Sequence, residues 1–463
     1  MRGSRVRASM REGCGGNSKA AIKSTANGGH KRRYYLEIYG CSLSEFDALV
    51  MAEMLESEGY ARTERAEEAD LIVINTCAVR LDTEQRIAER IEELRLKLPG
   101  KKMVVAGCLV KARPGLVSRL APDASLLAPQ AVDRVVDAVR ELEAGGRLVI
   151  LDARRDTSYM PPPPVVDAAV TIMVQEGCLG DCSFCITKVA RRQVKSFPPR
   201  LVVEKVEDAI KRGAREIRLT GTDVAVYGVD LPGRPTIADL VAMILDKVEG
   251  DYRIRVGMMT PDQTIDFLDS LLDVYRDERV YKYFHLPVQS GDDEVLKIMK
   301  RNYTVAEFKA MHRKIKAVYP EAMIATDIIV GHPGESWEAF WNTVKLVKEL
   351  KFEKVHLAQY SLRPHTAAAS MPQIPDPVKK ERSKIMTRVV AEVGEEINEK
   401  YLGKVVDALV VERSWREGSM TARLDNYTPL VLPLDPDAIG RRVRARVEDY
   451  TFFDLRSKTY TVV

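Results

Sequence analysis

A chain of 463 residues, 45% hydrophobic and 30% charged, is long enough for about three ordinary domains with real cores. No run approaches the roughly 18 to 20 apolar residues of a membrane span, and the N-terminal segment has charge without the apolar core of a signal peptide, so the chain reads as cytoplasmic with no membrane partner. The formal charge of +4 hides an asymmetry: residues 1 to 33 hold nine of the 71 Lys/Arg and only Glu12 of the 67 acids, which leaves 62 bases against 66 acids in a mildly acidic body.

Seven cysteines spread over this length argue against a disulfide framework and for thiols kept reduced for metal binding or catalysis. Residues 1 to 33, rich in Gly, Ser and Arg and without periodicity, read as a disordered basic extension; a solvated tail is the simpler reading than an RNA-grasping arm, and Cys14 within it receives no role. From Tyr34 short β-rich runs ("YYLEIYG", "ADLIVINTC", "KKMVVAGC", "ASLLAP") alternate with helical stretches such as "LDTEQRIAERIEELRLKL". That alternation predicts a parallel βα domain over 34–153. Cys41, Cys77 and Cys108 each follow a run directly. Strand ends of a parallel sheet share one edge, so the three thiols are expected to converge there.

Four consecutive prolines in "RRDTSYMPPPPVVD" predict a semi-rigid linker over 154–167. A second βα series fills 168–399, with strand candidates "VTIMV", "EIRLT", "RIRVG", "YKYFHLPV", "MIATDIIV" and "EKVHLAQY". Six units suit a partial (β/α)6 barrel whose site lies where the strands end. At the end of the first stands "EGCLGDCSFC", with Cys178, Cys182 and Cys185. No nearby His or Cys completes a closed zinc site. A catalytic zinc on three thiolates and an iron–sulfur cube with one open iron both fit the spacing.

From about residue 400 closely spaced β-like runs without helices predict a small antiparallel barrel over 400–463. In "RRVRARV" alternation puts Arg442, Arg444 and Arg446 on one face. Beside Tyr427, Phe452 and Phe453 they make a candidate RNA-binding face, against the plainer reading of a charged exposed strand.

The CxxxCxxC spacing after the first barrel strand resembles the signature of the radical S-adenosylmethionine superfamily. Two three-cysteine sets in consecutive domains resemble its methylthiotransferases. The segments "YGCSLSEFDA", "INTCAVR", "VVAGC", "GCLGDCSFCITKVAR", "LTGTDVAVYG", "LPVQSGDDEVLKIMKR" and "TDIIVGHPGES" are similar to that family's motifs in the same order. "ITK" and "GTDVAVYG" are closer to the archaeal and eukaryotic branch. "YSLRPHTAAA" departs from the commoner "YSPRPGTPAA" at Leu362, His365 and Ala367.

The resemblance implies two 4Fe–4S clusters, one on Cys178, Cys182 and Cys185 that cleaves S-adenosylmethionine to a 5′-deoxyadenosyl radical, and an auxiliary one on Cys41, Cys77 and Cys108 that holds the sulfur to be transferred. It implies S-adenosylmethionine contacts at Gly221, Thr222 and Asp223, at Gln289 and Ser290, and at Gly331 and Pro333 of "GHPGE". A C-terminal TRAM-like module fits the family too. The implied reaction converts N6-threonylcarbamoyladenosine at tRNA position 37 to its 2-methylthio derivative, with an external electron donor and a sulfur donor. Isopentenyladenosine tRNA or a ribosomal-protein aspartate are same-chemistry alternatives, and a non-catalytic zinc-containing RNA-binding protein is the alternative of another class. His285, His332 and His356 near strand ends read as structural.

Overall fold

The computed structural model describes residues 32–463, so Cys14 and all of the basic extension but Arg32 and Arg33 lie outside the described residues. Arg32 pairs with Glu143 at 2.5 Å, and Arg33 already opens the first strand.

The first domain is a parallel sheet of six strands: β1 (Arg33–Ile38), β2 (Ala61–Thr63), β3 (Leu71–Thr76), β4 (Lys102–Gly107), β5 (Ser125–Leu127) and β6 (Val149–Ile150). Their order is β2-β1-β3-β4-β5-β6. β3, "LIVINT", is buried along its whole length, as expected of a central parallel strand covered on both faces. The adjacency of β1, β3 and β4 puts the three strands that precede Cys41, Cys77 and Cys108 side by side. Helix α1 (Ser42–Ser57) starts directly after Cys41.

The segment read as a linker is packed rather than free. Met160 is fully buried and Arg155 nearly so, and Val165–Val166 forms strand β7, antiparallel to β8 (Ala169–Glu176). The short strand β9 (Lys195–Ser196) pairs with the far end of β8. β8 leads the barrel strands β10 (Glu216–Gly221), β11 (Arg253–Val256), β12 (Tyr283–His285), β13 (Met323–Val330) and β14 (Lys354–Gln359). Parallel pairing runs from β8 through β10 to β11 and from β12 through β13 to β14. Bridges Ile254 to Val280 and Met258 to His285 join the two groups. The result is a six-unit parallel barrel left open between β8 and β14. Helices form where their signals stand: Thr304 and Glu307 make a reciprocal capping box ahead of Val305–Val318.

The last domain is a seven-stranded sheet of β15 (Val405–Arg413), β16 (Ser419–Arg423), β17 (Pro429–Pro433), β18 (Arg442–Arg446), β19 (Asp449–Tyr450), β20 (Leu455–Arg456) and β21 (Thr461–Val462). Its pairings are antiparallel except β17 with β20. It docks on the end of the barrel where the strands begin: Ala168 N–H donates to Val411 O at 3.0 Å and Lys282 N–H to Asp425 O at 2.8 Å. The cysteine sets occupy the opposite end. No helix among the described residues is long and apolar enough to cross a membrane.

Candidate active site

The first cysteine set is held by the residues flanking Cys77. Asn75 Nδ2 donates to Ser44 O at 2.5 Å, which ties the start of α1 to the end of β3. Thr76 Oγ1 donates to Ala106 O at 2.6 Å and accepts Leu109 N–H at 3.2 Å, which fixes the turn bearing Cys108. Gly40 lies so near Cys77 that a Cβ there would sit 3.2 Å from the Cys77 Cβ. Cys77 and Cys108 are buried and Cys41 is exposed. Burial pushes the Cys108 thiol up to about 11, against the pull of Arg191 and with Cys41 adding to the rise.

The second set sits on the loop after β8. Gly177 N–H donates to Thr222 Oγ1 at 3.0 Å, and Gln175 Nε2 donates to Gly177 O at 2.5 Å. Gly180 N–H points at Cys178 Sγ, 3.2 Å away. A Cβ on Gly180 would lie 3.4 Å from Cys178 Sγ and 3.6 Å from Cys182 Sγ. Two sulfurs thus lie on the same side of Gly180, at ordinary contact distance from that position. Cys185 N–H closes the turn on Cys182 O at 3.2 Å. Burial, then Asp223, pushes Cys178 up to about 12; burial, then Cys182, also raises Cys185. Arg301 Nη1 donates to Cys182 Sγ at 3.2 Å while Nη2 holds Pro287 O at 3.0 Å.

A buried ion cluster joins the two sets. Arg191 Nε donates to Cys108 Sγ at 3.2 Å, and the same guanidinium pairs with Asp47 of α1 and, at 3.2 Å, with Glu176 at the end of β8. Arg155, from the proline-rich segment, meets Asp47 at 2.5 Å and Glu176 at 2.7 Å. Burial alone would raise the Glu176 carboxyl, but Arg155 and Arg191 hold it below the usual range. Arg191, Asp47, Glu176 and Arg155 were not singled out by sequence reasoning. The only signal was "VAR" within a family-like segment, because their pairing spans up to 144 positions. A further link of the same kind is Arg363 of the "YSLRPH" segment with Glu84 of the first domain.

Two sets of three cysteines, each with one sulfur receiving an arginine N–H, suit anionic iron–sulfur ligation at two sites. The residues expected at S-adenosylmethionine are less uniform. Gln289 takes φ +69°, and its Oε1 is buried without a hydrogen-bond partner. That is a strained residue with an acceptor to spare, which fits a hydroxyl donor such as a ribose. Thr222 and Asp223 instead support the loop. Asp223 accepts from Thr260 Oγ1 at 2.7 Å and Thr260 N–H at 3.0 Å, and burial raises its carboxyl. Gly221 is close-packed, a Cβ there falling 2.6 Å from Gln175 Oε1. Ser290 is fully buried with its hydroxyl 3.3 Å from Thr343 Oγ1, turned toward a helix and away from the strand ends. Gly331 backs on Lys379, 2.4 Å from a built Cβ. Glu335 accepts Gly331 N–H at 2.7 Å and meets Arg382 at 2.5 Å. Pro333 O accepts from His332 Nδ1 at 2.8 Å. His332 is structural: its Nε2 lies 3.2 Å from Ser183 Oγ, behind the second cysteine loop.

In the last domain β18 alternates as expected, with Val443 and Ala445 buried. Its arginines are engaged: Arg442 with Asp251 at 2.6 Å, Arg444 with Asp407 at 2.7 Å, and Arg446 Nε with Gly403 O at 3.1 Å. Tyr427 is not a base-stacking platform. It is buried at the barrel floor, its ring 4.9 Å from Tyr281 and 5.0 Å from Tyr283, its hydroxyl 2.8 Å from Glu216. Phe452 remains exposed.

Comparison with known proteins places three matches along the chain: "Uncharacterized protein family UPF0004" over residues 33–128, the "Radical SAM superfamily" over 172–347 and the "TRAM domain" over 399–459. A protein of Pyrococcus horikoshii named a probable threonylcarbamoyladenosine tRNA methylthiotransferase is 39% identical over 87% of this chain and 93% of its own length. The Homo sapiens threonylcarbamoyladenosine tRNA methylthiotransferase is 32% identical over 90% of this chain and 72% of its own. A tRNA-2-methylthio-N(6)-dimethylallyladenosine synthase of Roseiflexus sp. is 36% identical over 88% and 85%. Among solved structures, the radical S-adenosylmethionine methyltransferase TsrM of Kitasatospora setae superposes with a TM-score of 0.53 at 14% identity, covering 73% of this chain and 75% of that one. That likeness is one of fold.

Proposed function

The chain belongs to the tRNA methylthiotransferase family of the radical S-adenosylmethionine superfamily, and from that premise we propose that it is the enzyme that adds a methylthio group to carbon 2 of N6-threonylcarbamoyladenosine in tRNA. The observation that carries the reading is the pair of cysteine triads at the facing edges of two parallel sheets, locked together through Arg191. Cys178, Cys182 and Cys185 hold one 4Fe–4S cluster on this reading, and Cys41, Cys77 and Cys108 hold the other. When bound, the clusters and S-adenosylmethionine supply the one-electron chemistry and the sulfur and methyl groups that no side chain can provide.

The chain's own residues do the rest. Six thiols release their protons as ligands, and burial makes that costly for Cys108 and Cys178; Arg191 offsets part of the cost at Cys108. Arg191 and Arg301 direct N–H groups at one sulfur of each triad and stabilise its negative charge. The Asp47, Glu176 and Arg155 cluster keeps Arg191 in place and excludes water between the triads. Gln289 Oε1 offers an acceptor for S-adenosylmethionine. An external electron donor and a sulfur donor complete the cycle. Exposed Arg444 and Arg446 offer positive charge to the RNA backbone, each first leaving an intramolecular partner.

The test is mass analysis of nucleosides after anaerobic reaction of reconstituted protein with S-adenosylmethionine, a reductant and tRNA carrying the threonylcarbamoyl group, the isopentenyl group or neither. A methylthio gain confined to the threonylcarbamoylated tRNA supports the reading, and a gain only on isopentenylated tRNA refutes it.

A further inference from the structure

Between the cysteine loops and the last domain the interior of the barrel forms a polar chamber in which Arg218, Arg255, His285 and Asp327 are each only partly buried. Strand alternation and register line its wall. Arg218 on β10 stands beside Arg255 on β11, His285 ends β12, and Asp327 on β13 stands beside His356 on β14. Arg423, Glu412 and Tyr427 of the last domain form the floor, and α1 covers the top, where Ser42 Oγ lies 3.1 Å from Thr220 Oγ1. His356, on the edge strand β14, is exposed.

The charges in the chamber do not all find partners. Arg218 pairs with Glu216 at 2.5 Å and with Glu412 at 2.9 Å; Arg423 shares Glu412 at 3.4 Å; Arg253 meets Asp425 at 3.0 Å. Asp327 is matched by His285, whose Nε2 lies 2.9 Å from Oδ1. No carboxylate reaches Arg255 among the described residues. Its guanidinium is held between the Tyr283 and Tyr427 rings, 4.8 and 5.6 Å from their centroids, with Nη2 3.2 Å from Tyr283 Oη. Its Nε is buried with no hydrogen-bond partner. A guanidinium fixed in this way, with a donor free and no counter-ion, is poised for an anion from outside.

His285, Asp327 and His356 bring three ligand atoms within 4.8 Å of one another, a grouping that also suits a divalent cation. The nearby charge of Arg255, which acts on His356, opposes a second cation and favours an anion. Glu45 of α1 is the carboxylate of the covering helix that interacts with Arg218; burial raises its carboxyl and Arg218 pulls it back down.

We propose that this chamber takes the carboxylate of the threonyl group on N6 of the substrate adenosine, with Arg255 as its partner and His356 beside it. The proposal rests on the substrate reading above. Carbon 2 and N6 project from different edges of a purine, so a base that turns carbon 2 toward the cysteine triads sends its N6 substituent elsewhere in the cavity. Arg301 joins Cys182 Sγ to Pro287 O, two residues beyond His285, so the chamber begins next to the second triad. An isopentenyl group there would leave Arg255 without a partner and press hydrocarbon on a charge. Arg255 thereby selects between the two classes of N6 modification.

The experiment compares two anticodon stem–loop RNAs as substrates for the full-length reconstituted enzyme, one carrying N6-threonylcarbamoyladenosine and the other the same nucleoside with its carboxylate capped as a methylamide. The ratio of kcat/KM for the two is taken within each preparation, so loss of folded protein in a variant cancels. Wild type should prefer the free carboxylate by about tenfold or more, the scale of a charge-assisted pair. Arg255→Gln should bring the ratio close to one, and Arg255→Lys should leave it between. A wild-type ratio near one, or an undiminished ratio in Arg255→Gln, overturns the proposal. Turnover of an isopentenylated stem–loop with none of the threonylcarbamoylated one would instead overturn the substrate reading on which it rests.

Discussion

Arg191 and Cys108 are joined across two domains by a 3.2 Å hydrogen bond from the guanidinium Nε to the sulfur. The remaining guanidinium nitrogens face Asp47 and Glu176, so one fully buried residue touches the first cysteine set, its supporting helix and the strand that leads into the second set. Arg191→Gln removes a buried charge from between two carboxylates and should cost about 3–5 kcal/mol. Lysine cannot reproduce the three-way fork and should recover only part of this. Denaturant unfolding of the metal-free proteins, wild type against each variant, measures both effects; a loss below about 1 kcal/mol would mean the cluster is not structural.

Arg301 makes the corresponding contact in the second set, with Nη1 on Cys182 Sγ and Nη2 on Pro287 O. Hydrogen bonds to ligand sulfurs raise the reduction potential of an iron–sulfur centre. Arg301→Gln should therefore lower the potential of the cluster on Cys178, Cys182 and Cys185 and leave the auxiliary cluster unchanged, whereas Arg191→Gln should do the reverse. Redox titration followed by electron paramagnetic resonance distinguishes them. Equal shifts of both centres in either variant would contradict the assignment of one arginine to each triad.

Gly177, the residue before Cys178, has φ +90°, and a Cβ there would lie 2.0 Å from Gln193 O. An L-residue is strained in that conformation, and the obstacle is backbone. Gly177→Ala should displace Cys178 and reduce reconstituted iron by about half, because only one of two clusters is lost. Full iron loading in this variant would show that the loop tolerates the shift.

His312 gives a pH dependence. Burial, then Lys316 and Arg313, depress its imidazole to about 4, while in the unfolded chain it titrates near the ordinary value of about 6.5. Between those values the unfolded state binds the extra proton, so stability falls as pH drops from about 6.5 toward 4, by at most about 1.4 kcal/mol per pH unit. His312→Gln should flatten that slope in pH-dependent denaturant unfolding of the metal-free protein. An identical slope would mean that other groups set it.

The first cysteine set was legible because Cys41, Cys77 and Cys108 each directly follow a β-rich run and parallel strands bring their ends to one edge; the second was legible from the close spacing of Cys178, Cys182 and Cys185 after β8. Strand order added what spacing lacked, namely that β1, β3 and β4 are neighbours. The proline-rich segment was read as a semi-rigid linker from its prolines; that Arg155 and Met160 anchor it in the core was not visible in them. Ser290 sits in a cofactor-like motif yet bonds a helix, because side-chain direction is set by the turn after β12, which the residue types do not reveal. Tyr427 looked like a base platform, but interdomain packing put it under the barrel. At His365, where the commoner family segment has glycine, the backbone takes a left-handed φ of +68°, a conformation glycine adopts without strain. The arginine ties between domains were invisible because they join residues far apart in sequence.

The central claim is that two separate triads each hold an iron–sulfur cluster, and iron and labile sulfide content measure it most directly. Anaerobically reconstituted wild type should carry about eight of each per chain, and Cys108→Ala and Cys182→Ala about four each. Stoichiometric zinc without sulfide, or a single cluster that needs cysteines from both triads, would contradict it.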